Sequence, residues 1–192
     1  MKNGRVGFHR TIVVVARGLK KDPAQYLKNP SGVAYPPPAS TLEPVHRFLG
    51  AEFALPEPLA LQAVTHKSFG HGKVPYNEKL AILGNQLLRL EITRECMKDE
   101  LCHDIDTNSL ELPSSSTVLA SVCKKNDIHK AIFWVPADGE PHCSDTVASR
   151  AVNAILGAVL TQHGLKKAQQ FVQARLLSGE QDVRLLAGEV RR

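Results

Sequence analysis

The chain has 192 residues, 43% of them hydrophobic and 22% charged, with a net charge of +5 at neutral pH; this suits one sizeable domain of soluble, globular composition with room for extensions. No apolar run approaches the roughly 20 residues of a membrane-spanning helix, so no membrane partner is expected. Its four cysteines, Cys96, Cys102, Cys123 and Cys143, include no CxxC pair, and buried reduced thiols are expected in place of a disulfide framework or a zinc site.

Residues 1–40 hold Lys2, Arg5, Arg10, Arg17, Lys20, Lys21 and Lys28 against one acid, Asp22, a net of +6. With +5 on the whole chain, the remainder sums to −1, so the basicity belongs to this segment. The segment is rich in glycine and proline, lacks a sustained helical period, and ends in YPPPAS, which reads as a stiff extended linker. Its apolar stretch TIVVVA is too short for a secretory signal. Two readings fit a basic, nearly acid-free segment: a mitochondrial presequence and a nucleic-acid-binding arm. The arm is preferred, and its seven cations are the candidate phosphate contacts.

From Thr41 the pattern is helical. STLEPVHRFLG opens on a cap at Ser40 or Thr41, with Glu43 in the first turn. PEPLALQAVTHKS starts on proline and turns Leu59, Leu61, Ala63 and Val64 inward. After the loop FGHGKVPY, NEKLAILGNQLLRL opens a helix over roughly 77–101, with Leu80, Leu83 and Leu87 predicted for the core. SSSTVLASVCKKNDIHKAI offers serine caps and a stripe through Val118, Leu119, Val122 and Ile128. TVASRAVNAILGAVLTQHG is a strongly apolar helix stopped by Gly164. LKKAQQFVQARLLSG is a last amphipathic helix with Leu165, Ala168, Phe171, Val172 and Leu176 on one side. The prediction is an all-α domain over residues 41–178, preceded by an extended basic arm and linker, 1–40, and followed by a C-terminal tail, 179–192, in which RLLAGEVRR reads as a frayed surface helix or tail.

Two features of the long helices carry the functional reading. Glu78, Ala81 and Asn85 fall at i, i+3 and i+7 on one face. Gly84 and Gly157 each cost about 1 kcal/mol in a helix interior relative to alanine. With Ala151, Ala154, Ile155 and Ala158 around Gly157, they predict two helices crossing at short distance.

HKS, then NEKLAILGNQLL, then AVNAILGAVLTQHGLKKAQQFV, in that order over about residues 42–177, resemble the ribonuclease III domain. The resemblance implies a ribonuclease III-type helical fold. Enzymes of that family cut double-stranded RNA with Mg²⁺ held by acidic side chains on the two signature helices, a hard cation on oxygen ligands. Carried over position by position, the first signature glutamate is Glu78, the second falls on Ala81 and the signature aspartate on Asn85. In the later block the aspartate position is Arg150 and the glutamate position is Asn153. One carboxylate beside two amides and a guanidinium makes a poor Mg²⁺ site. The expectation is therefore no catalytic residue, no metal, no cofactor and no nuclease activity, with Arg150 pairing with Glu78 across the two helices. Glu78 also reads simply as a first-turn acid favoured by the helix dipole, and His66 and Ser68 read as capping or packing residues.

Ribonuclease III domains work as dimers built around the signature helix, which makes Ile82, Asn85 and Gln86 candidate interface residues; Ile82 reads equally well as core. The residues after Leu177 are too few for the double-stranded RNA-binding domain that follows in family enzymes, so RNA contact falls to the arm. This combination is similar to mitochondrial large-subunit ribosomal proteins, the fungal L15 type among them. It implies a structural constituent of the mitochondrial large ribosomal subunit, in the mitochondrial matrix. Such a protein would bind rRNA and pair with a second ribonuclease III-like ribosomal protein, beside other mitoribosomal proteins. The alternative is a non-catalytic regulatory subunit of a ribonuclease III-type RNA-processing heterodimer.

Overall fold

The architecture is set by two long helices that run side by side in the same direction. In the computed structural model, which describes residues 27–98, 111–136, 143–179 and 182–190, the helices are α1 (Glu43–Leu49), α2 (Glu57–Val64), α3 (Glu78–Lys98), α4 (Ser116–Lys125), α5 (Asp145–Leu176) and α6 (Val183–Val190). Short 3-10 turns join several of them. Among the described residues there is no strand, only isolated bridges between Lys28 and Ala34 and between Thr65 and Phe133. The fold is all-α, as the sequence predicts.

Local chemistry places the ends of the helices. Ser115 and Ser144 cap α4 and α5 by accepting hydrogen bonds from the amides of Val118 and Val147, which satisfies donors left open in the first turn. Prolines stand in the first turns of α1 and α2, where a missing N–H costs nothing. Gly164 has φ 80° and ψ 174°, a left-handed conformation suited to glycine. It breaks α5, and the chain continues helically to Leu176.

The most extensive contact joins α3 to α5. A Cβ built on Gly84 would overlap the Asn153 carbonyl and lie 2.7 Å from the Gly157 nitrogen, and one on Gly157 would overlap the backbone of Leu80. Further along, Gln169 Nε2 donates to Glu91 Oε1 at 2.9 Å and Gln173 Nε2 to Glu95 Oε1 at 2.8 Å. Contacts advance along both helices together, which makes the pair parallel. Glu91 is 1% exposed, and Arg94 Nη1 donates to both its oxygens, at 3.0 and 2.9 Å. A buried carboxylate is tolerated only when satisfied in this way.

Leu80, Leu87, Leu88 and Ile92 enter the core, but Leu83 is 40% exposed and Leu165 52% exposed, contrary to expectation. The inward arc of α3 is centred on Leu80, Gly84, Leu87 and Glu91. Leu83 falls at its edge, beside Ile82 and Leu90 on the outer face. Leu165 directly follows the break at Gly164, before the second half of α5 turns Ala168, Phe171, Val172 and Leu176 into the core.

The folded unit also reaches beyond the predicted boundaries. Residues 27–35, expected as part of an extended linker, form a tight reversal in which Asn29 Oδ1 accepts from Val33 N at 2.8 Å and Tyr35 N donates to Leu27 O at 2.7 Å. Tyr35 then packs on Phe69 and Phe133, with ring centroids 5.5 Å away in each case. The expected tail forms α6, which buries Val183, Leu186 and Ala187; apolar residues at i, i+3 and i+4 give it a face to dock. The arm residues Lys2, Arg5, Arg10, Arg17, Lys20 and Lys21, and Cys102, lie outside the described residues, while Lys28 is exposed.

The crossing generates a direct test. Gly84→Ala is expected to lower the folding free energy by about 2 kcal/mol or more, despite alanine's helix preference of about 1 kcal/mol, because a backbone must move to admit the methyl group. Chemical denaturation reads this; an unchanged stability would contradict the close approach.

Candidate functional site

The crossing sets Asn153 of α5 against Gly84 of α3, beside the positions singled out in the sequence. On α5, Arg150, Asn153 and Gly157 fall at i, i+3 and i+7, a stripe that meets α3 at Asn153 and Gly157. Arg150 continues this stripe towards the first turn of α3, which carries Glu78. Ala81 and Asn153 are each 8% exposed; Asn85 is half-buried and Arg150 is exposed.

The entry to α3 is fixed by Asn77, which is 1% exposed. Its backbone N–H donates to Thr65 O at 2.9 Å and its Nδ2 to Ala63 O at 3.2 Å, so the end of α2 positions the start of α3. Glu78 pairs with Lys67, Nζ to Oε2 3.3 Å, with the Lys67 side chain 57% and the Glu78 side chain 36% exposed. No ion pair joins Glu78 to Arg150, which overturns the expected pairing. Lys67 lies in the loop anchored against the first turn of α3 and reaches the carboxylate first, and Arg150 has no acidic partner among the described residues.

His66 stands among these charges. Its Nδ1 accepts from Ser68 N at 3.2 Å and lies 2.9 Å from Ser68 Oγ, which itself accepts from Val135 N at 3.0 Å. This network needs Nδ1 unprotonated, because a proton there would face the Ser68 N–H. Burial holds the imidazole below its ordinary pKa; the positive charges of Arg150 and Lys67 act in the same direction, and Glu78 opposes them. His66 and Ser68 thus tie the loop to residue 135, in line with the packing reading.

The donor set does not fit Mg²⁺. Its oxygen ligands would be one carboxylate already paired with Lys67 and neutral amide oxygens, and Asn153 Oδ1 is buried without a hydrogen-bond partner. A single orphaned amide oxygen beside a guanidinium is far from the charged oxygen shell that a hard divalent cation requires. Among the described residues no three His, Cys, Asp or Glu side chains are grouped to hold a metal. A groove of about 640 Å³, lined by residues including Glu91, Arg94, Lys98, Lys166 and Gln169, lies at the other end of the crossing and involves none of the positions singled out.

Residues 56–179 match the family model described as Ribonuclease-III-like. The chain belongs to this family. Large ribosomal subunit protein mL57 of Neurospora crassa is 28% identical over 152 residues, covering 67% of this chain and 57% of that protein. Ribonuclease 3 of Mycolicibacterium paratuberculosis is 31% identical over 147 residues, covering 69% of this chain and 59% of the enzyme. The chain therefore spans a little over half the length of these curated relatives. Among solved structures, the nuclease domain of ribonuclease III from Campylobacter jejuni superposes with a TM-score of 0.59 at 22% identity, covering 78% of this chain and 96% of that domain. That likeness shows the ribonuclease III nuclease-domain fold.

Within this ribonuclease-III-like frame, three residues escaped the sequence reading. Lys67 was visible only as the middle of HKS, and nothing in its spacing marks it as a partner of Glu78. Asn77 stands directly before the helix, yet its contacts lie with α2. Glu91 had a signal: at i+7 from Gly84 and i+4 from Leu87 it sits on the inward arc, where a carboxylate must find partners.

His66 supplies a titration test. Arg150→Gln is expected to raise the His66 pKa, and Glu78→Gln to lower it further, as followed by imidazole proton NMR. Because the folded-state pKa is depressed, the stability contributed by His66 is complete above about pH 6.5 and is lost as pH falls through the folded-state value. A His66 pKa indifferent to both substitutions would remove it from this cluster.

Proposed function

We propose that this ribonuclease-III-like chain is a non-catalytic, structural constituent of the mitochondrial large ribosomal subunit, located in the mitochondrial matrix. It binds rRNA and pairs with a second ribonuclease III-like ribosomal protein, alongside other mitoribosomal proteins. The non-catalytic reading is supported by the residues at the positions carried over from the family, Glu78, Ala81, Asn85, Arg150 and Asn153: one acid paired with Lys67, two amides and an exposed cation where metal-dependent hydrolysis needs several carboxylates. The similarity to mL57 supports the ribosomal assignment.

Pairing is supported by the outer face of α3. Ile82, Leu83, Leu90 and Met97 are 62%, 40%, 49% and 73% exposed, an apolar stripe some four turns long with Gln86 between its members and Asn85 at its border. Exposed apolar stripes of this extent mark contact surfaces, and this one excludes the reading of Ile82 as core. RNA contact is assigned to the arm cations Lys2, Arg5, Arg10, Arg17, Lys20, Lys21 and Lys28, which neutralise phosphates without reading sequence.

The ribonuclease 3 relatives favour, as a second reading, a non-catalytic subunit of an RNA-processing heterodimer. Sedimentation of the tagged full chain separates the two. The proposal expects it with the large ribosomal subunit at a stoichiometric level, and Ile82→Asp to shift it to light fractions. Recovery away from ribosomal RNA, with Mg²⁺-dependent cleavage of double-stranded RNA in the same fractions, would overturn it.

A further inference from the structure

The last turn of α4 is tied to the first turn of α5 by an ion pair, Lys124 Nζ to Asp145 Oδ1 at 3.0 Å. A cysteine stands close to each partner. Cys123, next to Lys124, is fully buried in the core, and Cys143, two residues before Asp145, is partly buried and packs against that same core. Both are free thiols, and neither belongs to the site described above. Burial pushes both above the ordinary thiol range, Cys143 to about 11. Cys143 adds to the rise at Cys123, and Lys124 opposes the rise at both sulfurs. The two thiols and the ammonium thus form one cluster at the joint between α4 and α5. A lone buried cysteine is inert, but here the buried thiol has a second, partly exposed thiol near it.

We propose that Cys123 and Cys143 form a reversible disulfide that staples the start of α5 to the end of α4 when a peroxide oxidises them. The Cys143 sulfur attacks a peroxide oxygen and the O–O bond breaks. The Cys143 proton goes to the departing hydroxide, leaving a sulfenic acid and water. The Cys123 sulfur then attacks the sulfenic sulfur; the S–S bond forms, the S–O bond breaks, and the hydroxyl leaves as a second water with the Cys123 proton. The two thiols lose two electrons, and hydrogen peroxide gains them. A dithiol reductant reverses the bond by exchange, and reduced thiols remain the resting state in a reducing compartment. Because the bond closes the chain between the two cysteines into a loop, it restricts the unfolded state and stabilises the fold. It also holds, at its entry, the helix that carries Gly157 and Arg150. The inference is independent of the ribosomal reading and of RNA binding.

The test uses the full chain with Cys96→Ser and Cys102→Ser, which leaves Cys123 and Cys143 as its cysteines. It is treated with hydrogen peroxide, alkylated in denaturant and mapped by mass spectrometry. Expected are a peptide linking Cys123 to Cys143 within one chain, its loss with dithiothreitol, and an unfolding midpoint at least about 5 °C above that of the reduced chain. With Cys123→Ser added, the sulfenic acid on Cys143 has no second thiol to meet, and dimedone is expected to trap more of it. Circular dichroism checks that the serine variants fold; should they not, the same mapping of the oxidised wild type decides. Both thiols still alkylated, Cys143 over-oxidised beside an alkylated Cys123, a link found only between chains, or a link without a rise in the midpoint would overturn the staple.

Discussion

The backbone contact between Gly84 and Gly157 is the constraint on which the rest of the structure depends. Neither position has room for a single methyl group, and each glycine gives up about 1 kcal/mol of helix propensity relative to alanine. What that cost secures is register. With α3 and α5 locked at one point and parallel, the seams from Gly84–Asn153 to Glu95–Gln173 follow. Glu78, in the first turn of α3, and Arg150 both act on the His66 imidazole. A slip of one residue along either helix would rotate every later contact by about a quarter turn and bury the wrong face.

The same geometry explains how a nuclease frame is compatible with a face unfit for metal. The residues that hold the crossing together are glycines, alanines and leucines on the inward arc, whereas Glu78 and Arg150 lie at the rim, where packing asks little of them. A rim without clustered carboxylates carries no like-charge repulsion and makes no demand on the core. Glu78 is bound to Lys67. Its exposed pair with Lys67 is worth at most about 1 kcal/mol, and the firmer fixing of that helix end comes from the hydrogen bonds of Asn77 to Thr65 and Ala63.

Much of the fold was legible because it rests on local rules: a serine cap at α4, a glycine break in α5, and the paired mid-helix glycines. The family resemblance grouped Glu78, Ala81, Asn85, Arg150 and Asn153, and the crossing sets Asn153 against Gly84, the neighbour of Asn85. Legibility ended where partners are chosen among side chains distant in sequence. Arg150 and Lys67 were both available to Glu78, and only the path of the 65–72 loop selects Lys67. Leu83 illustrates a second limit, since a leucine at the edge of a helical arc satisfies the period while remaining in solvent. The packing of Tyr35 and the docking of α6 escaped notice because proline-rich and terminal stretches carry weak periodic signals, although aromatic and aliphatic side chains there have a core to reach.

The central claim is that α3 and α5 retain the frame of a metal-dependent nuclease while the residues facing each other across it no longer bind the metal. Its most direct test is the effect of Mg²⁺ on thermal unfolding of the wild type and of a variant carrying Ala81→Glu, Asn85→Asp, Arg150→Asp and Asn153→Glu. A ligand that binds only the folded state raises the midpoint. The account predicts a wild-type midpoint unmoved by Mg²⁺ and a variant that is less stable without the ion and regains stability with it. A wild type stabilised by Mg²⁺, or a folded variant indifferent to it, would contradict the account.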